Sequence, residues 1–171
     1  ITYWASRDTS KYITLCNSHS LLEGARDQHH AKILNKSDIN LPDGWPVAFL
    51  MRLNGFKFQR RVAGPDLMIE ILKRIKNKDL PIYFYGSKLK TLQKIKIKFQ
   101  SQYGLNNLFI ESPSFKPQTE KENLATFEKI INSKAKIIFV SLGCPKQERW
   151  MFLNYSRFNS VTIGVGAAFA F

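Results

Sequence analysis

The chain has 171 residues, 44% hydrophobic and 23% charged, with 26 basic against 13 acidic side chains for a net charge of +13. That balance excludes a disordered polyelectrolyte, and no apolar run reaches the roughly 18–20 residues of a membrane-spanning helix. The basic excess favours an anionic partner, whether nucleic acid, an anionic membrane surface or a phosphorylated substrate. The two cysteines, Cys16 and Cys144, lack the spacing of a metal site or a disulfide framework, and free thiols suit a reducing cytoplasm. Ile1 is not an initiator methionine and no signal peptide is present, so the numbering is expected to begin inside a longer reading frame.

Strand-length apolar runs alternate with segments of helical period. Tyr12–Cys16 reads as a short buried strand and Leu21–Leu34 as a polar helix. Ile39–Leu41 reads as a second strand, ended by Pro42-Asp43-Gly44, and Val47–Leu53 as an apolar helix closed by Asn54-Gly55. Gly64-Pro65-Asp66 opens a helix over Leu67–Lys76, in which Leu67, Met68, Ile71, Leu72 and Ile75 share one face. Pro81–Tyr85 is a strand, Leu89–Tyr103 a lysine-rich helix, Leu108–Glu111 a strand and Glu120–Ser133 an amphipathic helix. Ile137–Leu142 is the strongest strand; Gly143-Cys144-Pro145 turns it into a helix, and Val161–Val165 is the last strand. This alternation predicts an α/β, Rossmann-like fold of one domain over 1–171, with a mostly parallel sheet and helices on both faces.

Ligands of such sheets sit beyond the carboxyl ends of the strands. Thr14 and Asn17 fall at the end of the first strand, Asp43 and Gly44 at the second, Tyr85, Gly86 and Ser87 at the third, and Gly143–Glu148 after the strongest. Asp43 is a turn former by type, and it is also a carboxylate able to take a proton from a sugar hydroxyl. Pro145 suits the first turn of the following helix, whose free N–H groups beside Lys146 and Gln147 form an anion site by backbone geometry, although many strand–helix junctions look alike. Arg60-Arg61 could hold phosphate or be merely solvated, His29-His30 reads as surface rather than ligand, and the lysines of Lys88–Lys98 read as a solvated helix face, with a membrane-facing role as the alternative. Gly164-Val165-Gly166 has no helix after it and is a poor dinucleotide fingerprint.

Taken together, Ile13–Ser20, Leu41–Pro46 (LPDGWP), Arg61–Met68 (RVAGPDLM), Tyr85-Gly86, Gly143–Glu148 (GCPKQE) and Gly164–Phe169 (GVGAAF) resemble, in order, the WecG/TagA/CpsF glycosyltransferases, glycosyltransferase family 26. The resemblance runs from about residue 12 to the last residue. It implies an inverting, metal-independent transferase without cofactor. The implied donor is a UDP-linked amino sugar, N-acetylmannosamine or N-acetylmannosaminuronic acid. The implied acceptor is polyprenyl-diphosphate-linked N-acetylglucosamine at the cytoplasmic membrane face, in teichoic acid or surface polysaccharide synthesis.

On this resemblance Asp43 is the general base, and Thr14, Asn17, Arg61 and Gln147 line the pocket, with Asn17 a firmer match than Thr14. Tyr85, Gly86, Gly143, Gly164 and Gly166 approach the UDP. No Asp-x-Asp metal motif is present, so helix N-termini and cations are left to stabilise the diphosphate. Most members carry Asp at the position of Ala170 and continue past Phe171 into a region rich in arginine and aromatics. The resemblance therefore implies weak or no turnover by the 171 residues alone. The expected protein is cytoplasmic and peripheral at the inner membrane face, and a homo-oligomer burying part of the helical surface fits the pattern. One alternative is a family member that binds a nucleotide sugar without turning it over. Another is a basic nucleic-acid-binding domain, against which stands the lack of any helix-turn-helix, zinc-finger or RNP pattern.

Overall fold

In the computed structural model, which describes residues 1–114, 116 and 118–169, the alternation of side chains along the strands sorts the core into two layers. The strands are β1 (Lys11–Cys16), β2 (Ile39–Pro42), β3 (Ile82–Gly86), β4 (Leu108–Glu111), β5 (Ile137–Ser141) and β6 (Val161–Gly164). They form one sheet in the order β2-β1-β6-β5-β3-β4, and every pairing is parallel. The helices are α1 (Thr2–Ala5), α2 (Ser18–Arg26), α3 (Gln28–Asn35), α4 (Trp45–Leu53), α5 (Gly64–Ile75), α6 (Leu89–Tyr103), α7 (Glu120–Asn132) and α8 (Lys146–Asn154), with a 3₁₀ turn at Gly166–Phe169.

Ile13, Leu15, Ile82, Phe84, Ile137, Phe139 and Ile163 point to one face, where Met68, Ile71, Leu72 and Ile75 of α5 and Leu92, Ile95 and Phe99 of α6 cover them. Their neighbours Tyr12, Tyr83, Tyr85, Ile138 and Val140 point to the other, against Ile33 of α3, Ile130 of α7 and Met151 of α8. Apolar burial on both faces explains why β3 and β5 are continuous hydrophobic runs rather than alternating ones. The α/β expectation from the sequence is the fold observed.

Two local expectations are corrected. The stretch 21–34 is not one helix, because Asp27 is extended (φ −126°, ψ 106°) and its carboxylate accepts from the His29 N–H at 2.9 Å, capping a new helix. His30 is not a surface residue: the break turns α3 inward, and its imidazole is wholly buried where α3 packs on α8. Arg149 of α8 bonds Asp27 at 2.9 Å and fastens the two helices at that point.

Because every strand runs the same way, all the carboxyl ends lie on one rim. Across the sheet, that rim carries in turn Asp43 after β2, Asn17 after β1, Gly166 after β6, Gln147 after β5 and Ser87 after β3.

Candidate active site

Asp43 is set by its neighbours' backbone. Its N–H donates to the Cys16 carbonyl at 2.8 Å, and Gly44, at φ +99°, makes the turn into α4. The Val62 N–H donates to the Pro42 carbonyl at 2.9 Å, which brings Arg61 alongside, with its Nε 4.0 Å from Asp43 Oδ1. The carboxyl group is half-buried. Burial raises its pKa above the ordinary aspartate value, and the Arg61 guanidinium opposes that rise. A half-buried carboxylate with a raised pKa and an open side is suited to accepting a proton.

Gln147 lies at the centre of the rim and is almost wholly buried. Its Oε1 accepts from the Gly166 N–H at 3.1 Å and its Nε2 donates to Glu148 Oε1 at 2.7 Å. Ser141 Oγ donates to the Gly166 carbonyl at 2.6 Å, so the turn after β6 is held from both sides. Gly164 leaves room for this packing, since a Cβ there would stand 2.6 Å from Met151 Cε and 3.2 Å from Gln147 Nε2. Pro145 is not in the first helical turn as the sequence suggested. It precedes α8, and the Gln147 N–H bonds the Gly143 carbonyl at 2.9 Å, which removes one donor from the expected anion site.

Beyond β3 and β5 opens a cleft of about 430 Å³ lined by Tyr85, Ser87, Gln118, Ser141, Lys146 and Trp150, among others. Tyr85 and Trp150 pack with ring centroids 4.7 Å apart, and Trp150 Nε1 is buried without a partner. Lys116 and Lys146 border the same cleft. Trp150, the Ser87 and Ser141 hydroxyls and the two lysines give this cleft one aromatic group, hydrogen-bonding groups and positive charge.

The other candidate residues take varied positions. Asn17 caps α2, its side chain accepting from the Ser20 N–H at 3.0 Å. Thr14 is wholly buried and its hydroxyl donates to Asn40 Oδ1, which turns it toward β2 rather than toward the cleft. Gly86 sits at φ +110° against Ser141, and Gly143, at φ +79°, is exposed with open space where a Cβ would be. Ala170 lies outside the described residues. Ser87 falls on the rim as the strand-end rule placed it, whereas Ser141, Gln118 and Trp150 are not among the residues the sequence pointed to. Ser141 was accessible to the same rule, and Trp150 to helical phase, four residues after Lys146. Gln118 is reached only through a loop whose path no local pattern predicts.

A model of the Glycosyl transferase WecG/TagA/CpsF family matches residues 1–171. The chain belongs to this family. Among its curated relatives is an N-acetylglucosaminyldiphosphoundecaprenol N-acetyl-beta-D-mannosaminyltransferase of Bacillus spizizenii, 26% identical over 98% of this chain and 64% of the relative. A protein of the same name in Bacillus subtilis is 27% identical over 92% of this chain and 60% of the relative. The chain thus spans less than two thirds of the length of these relatives. Among the described residues no helix is long and apolar enough to cross a membrane.

Proposed function

We propose that the rim transfers an N-acetylmannosamine-type sugar from UDP to polyprenyl-diphosphate-linked N-acetylglucosamine. The observation that carries this reading is the common rim. In a chain of this glycosyltransferase family, a half-buried Asp43 and a cleft bordered by Lys116 and Lys146 stand beyond the carboxyl ends of parallel strands. The acceptor hydroxyl attacks the anomeric carbon with inversion. The new C–O bond forms as the bond to the β-phosphate breaks, UDP leaves with the electron pair, and Asp43 takes the hydroxyl proton. Lys146 and Arg61 offer positive charge to the departing diphosphate. Trp150, which is half-buried at the cleft and backed by Tyr85, suits stacking of the uracil ring.

A peripheral position at the cytoplasmic membrane face is part of the same reading. Helix α4 and the segment after it expose Trp45, Phe49, Leu50, Leu53, Phe56 and Phe58 beside Arg52, Lys57, Arg60 and Arg61. Apolar side chains interleaved with cations fit an anionic lipid surface, and they follow directly on Asp43. An apolar cavity of about 420 Å³ beneath α4, lined by Leu21, Leu34, Leu41, Val47 and Met51, suits the first isoprene units of the acceptor.

Calorimetric titration with UDP and UDP-N-acetylmannosamine tests the donor half of the proposal. Replacing Gln147 by Ala leaves the Gly166 N–H and one Glu148 oxygen unpaired, at about 1–3 kcal/mol for each buried group. The expected result is UDP binding weakened by roughly 10- to 100-fold in Gln147→Ala with the fold retained. Binding unchanged by the substitution would move the donor away from the rim's centre.

A further inference from the structure

Behind Gln147, on the sheet face covered by α3 and α8, three side chains from different elements converge without being used by the transfer chemistry. They are His30 of α3, Cys144 of the turn after β5 and Glu148 of α8, and their ligating atoms all lie within 4.8 Å of one another. His30 and Glu148 have no exposed surface. Glu148 spends one carboxylate oxygen on Gln147, while Oε2 is buried without a partner, as is Nδ1 of His30. Cys144 Sγ stands 4.0 Å from His30 Nε2. Ser20 is buried beside both thiols, and its hydroxyl is within reach of Cys16 and Cys144.

A wholly buried carboxylate with an unpaired oxygen and no facing cation carries a desolvation cost of several kcal/mol. Among the described residues, no Lys or Arg forms an ion pair with Glu148. The groups that face one another here are an imidazole, a thiol and a carboxyl group.

We propose that His30, Cys144 and Glu148 form a binding site for a thiophilic divalent cation of the zinc class. One nitrogen, one sulfur and one oxygen are a donor set that zinc takes, with a fourth position left for water or the Ser20 hydroxyl. Tetrahedral bonds of about 2.0 Å to nitrogen and 2.3 Å to sulfur put the two ligand atoms about 3.5 Å apart. The 4.0 Å between Sγ and Nε2 therefore closes by a few tenths of an ångström. The cation displaces the thiol proton to solvent, and thiolate and carboxylate together neutralise its charge. Gln147 keeps the other oxygen of Glu148, so the site is structural: it would tie α3, the Gly143–Pro145 turn and α8 together behind the donor pocket.

The test is titration of the reduced, metal-free chain with cobalt(II) and zinc(II), in wild type, Cys144→Ser and Cys16→Ser. Wild type is expected to bind one cobalt(II) with a thiolate-to-metal charge-transfer band. Zinc in hundredfold excess over its Kd should raise the melting midpoint by about 5–10 °C. Cys144 is on a partly exposed turn, so Cys144→Ser is expected to stay folded, lose the band and bind at least roughly tenfold more weakly. The Cys16→Ser variant should keep the band. Absence of a charge-transfer band in folded wild type overturns the proposal, and so does a band lost with Cys16 but kept without Cys144. None of these readouts depends on UDP, so they separate this site from the donor reading.

Discussion

Asp43→Asn is expected to slow transfer by about 10²–10⁴-fold while leaving UDP affinity near that of wild type, because a general base acts on the acceptor hydroxyl and not on the nucleotide. The same substitution should not weaken the fold. Burial raises the pKa of Asp43 in the folded chain. A carboxyl group with a raised folded-state pKa favours the protonated form there. Its favourable contribution is complete below the unfolded pKa and disappears as pH rises through the folded value. At neutral pH the ionised group is therefore a burden on the native state, offset in part by Arg61 at 4.0 Å. Asparagine removes that burden, so its melting midpoint at neutral pH should equal or exceed that of wild type. The gap between the two proteins should narrow as pH falls through the carboxylate range. UDP release with acceptor present and thermal melts at several pH values measure both halves. A rate fall accompanied by a lower midpoint would make Asp43 a turn residue whose loss disturbs the site indirectly.

Much of this arrangement was legible before the structure, for a physical reason. Parallel strands buried on both faces must be continuous apolar runs, so Pro81–Tyr85 and Ile137–Leu142 stand out by composition alone. Polar residues just after such runs fall on one rim by topology, which brought Asp43, Asn17 and Gln147 into one list. What was not legible depends on contacts between elements distant in sequence. The inward turn of His30 follows from an Asp27 cap that interrupts an unbroken helical pattern. The pairing of Thr14 with Asn40 follows from the parallel register of β1 and β2, in which they are direct partners. The convergence of His30 with Cys144, 114 residues apart, has no local signature at all.

Gly86→Ala is expected to be the most damaging single-methyl change at the rim, with a stability loss of about 2–4 kcal/mol. At φ +110° the position lies where a side chain is strained in any surroundings. The added Cβ would also stand 2.2 Å from the Ser141 carbonyl oxygen and 2.6 Å from its carbon, both backbone atoms of the neighbouring strand. No rotamer can relieve that contact, so β3 and β5 must separate at their ends. The Ser87 N–H then loses its 3.1 Å bond to the same carbonyl. Because Ser141 Oγ also holds the Gly166 carbonyl, the displacement passes to the turn that Gln147 grips. The stability loss corresponds to a melting midpoint lowered by about 5–15 °C, and UDP binding should fall with it. Gly104→Ala is the control: Gly104 also has a positive φ, +65°, but nothing lies within 4 Å of where its Cβ would be. It should lose only the left-handed strain of about 1–2 kcal/mol and keep its UDP affinity. Equal losses in the two variants would mean that the approach of Gly86 to Ser141 adds nothing beyond backbone strain. A larger loss at Gly86, joined to weaker UDP binding, would tie the spacing of β3 and β5 directly to the integrity of the donor pocket.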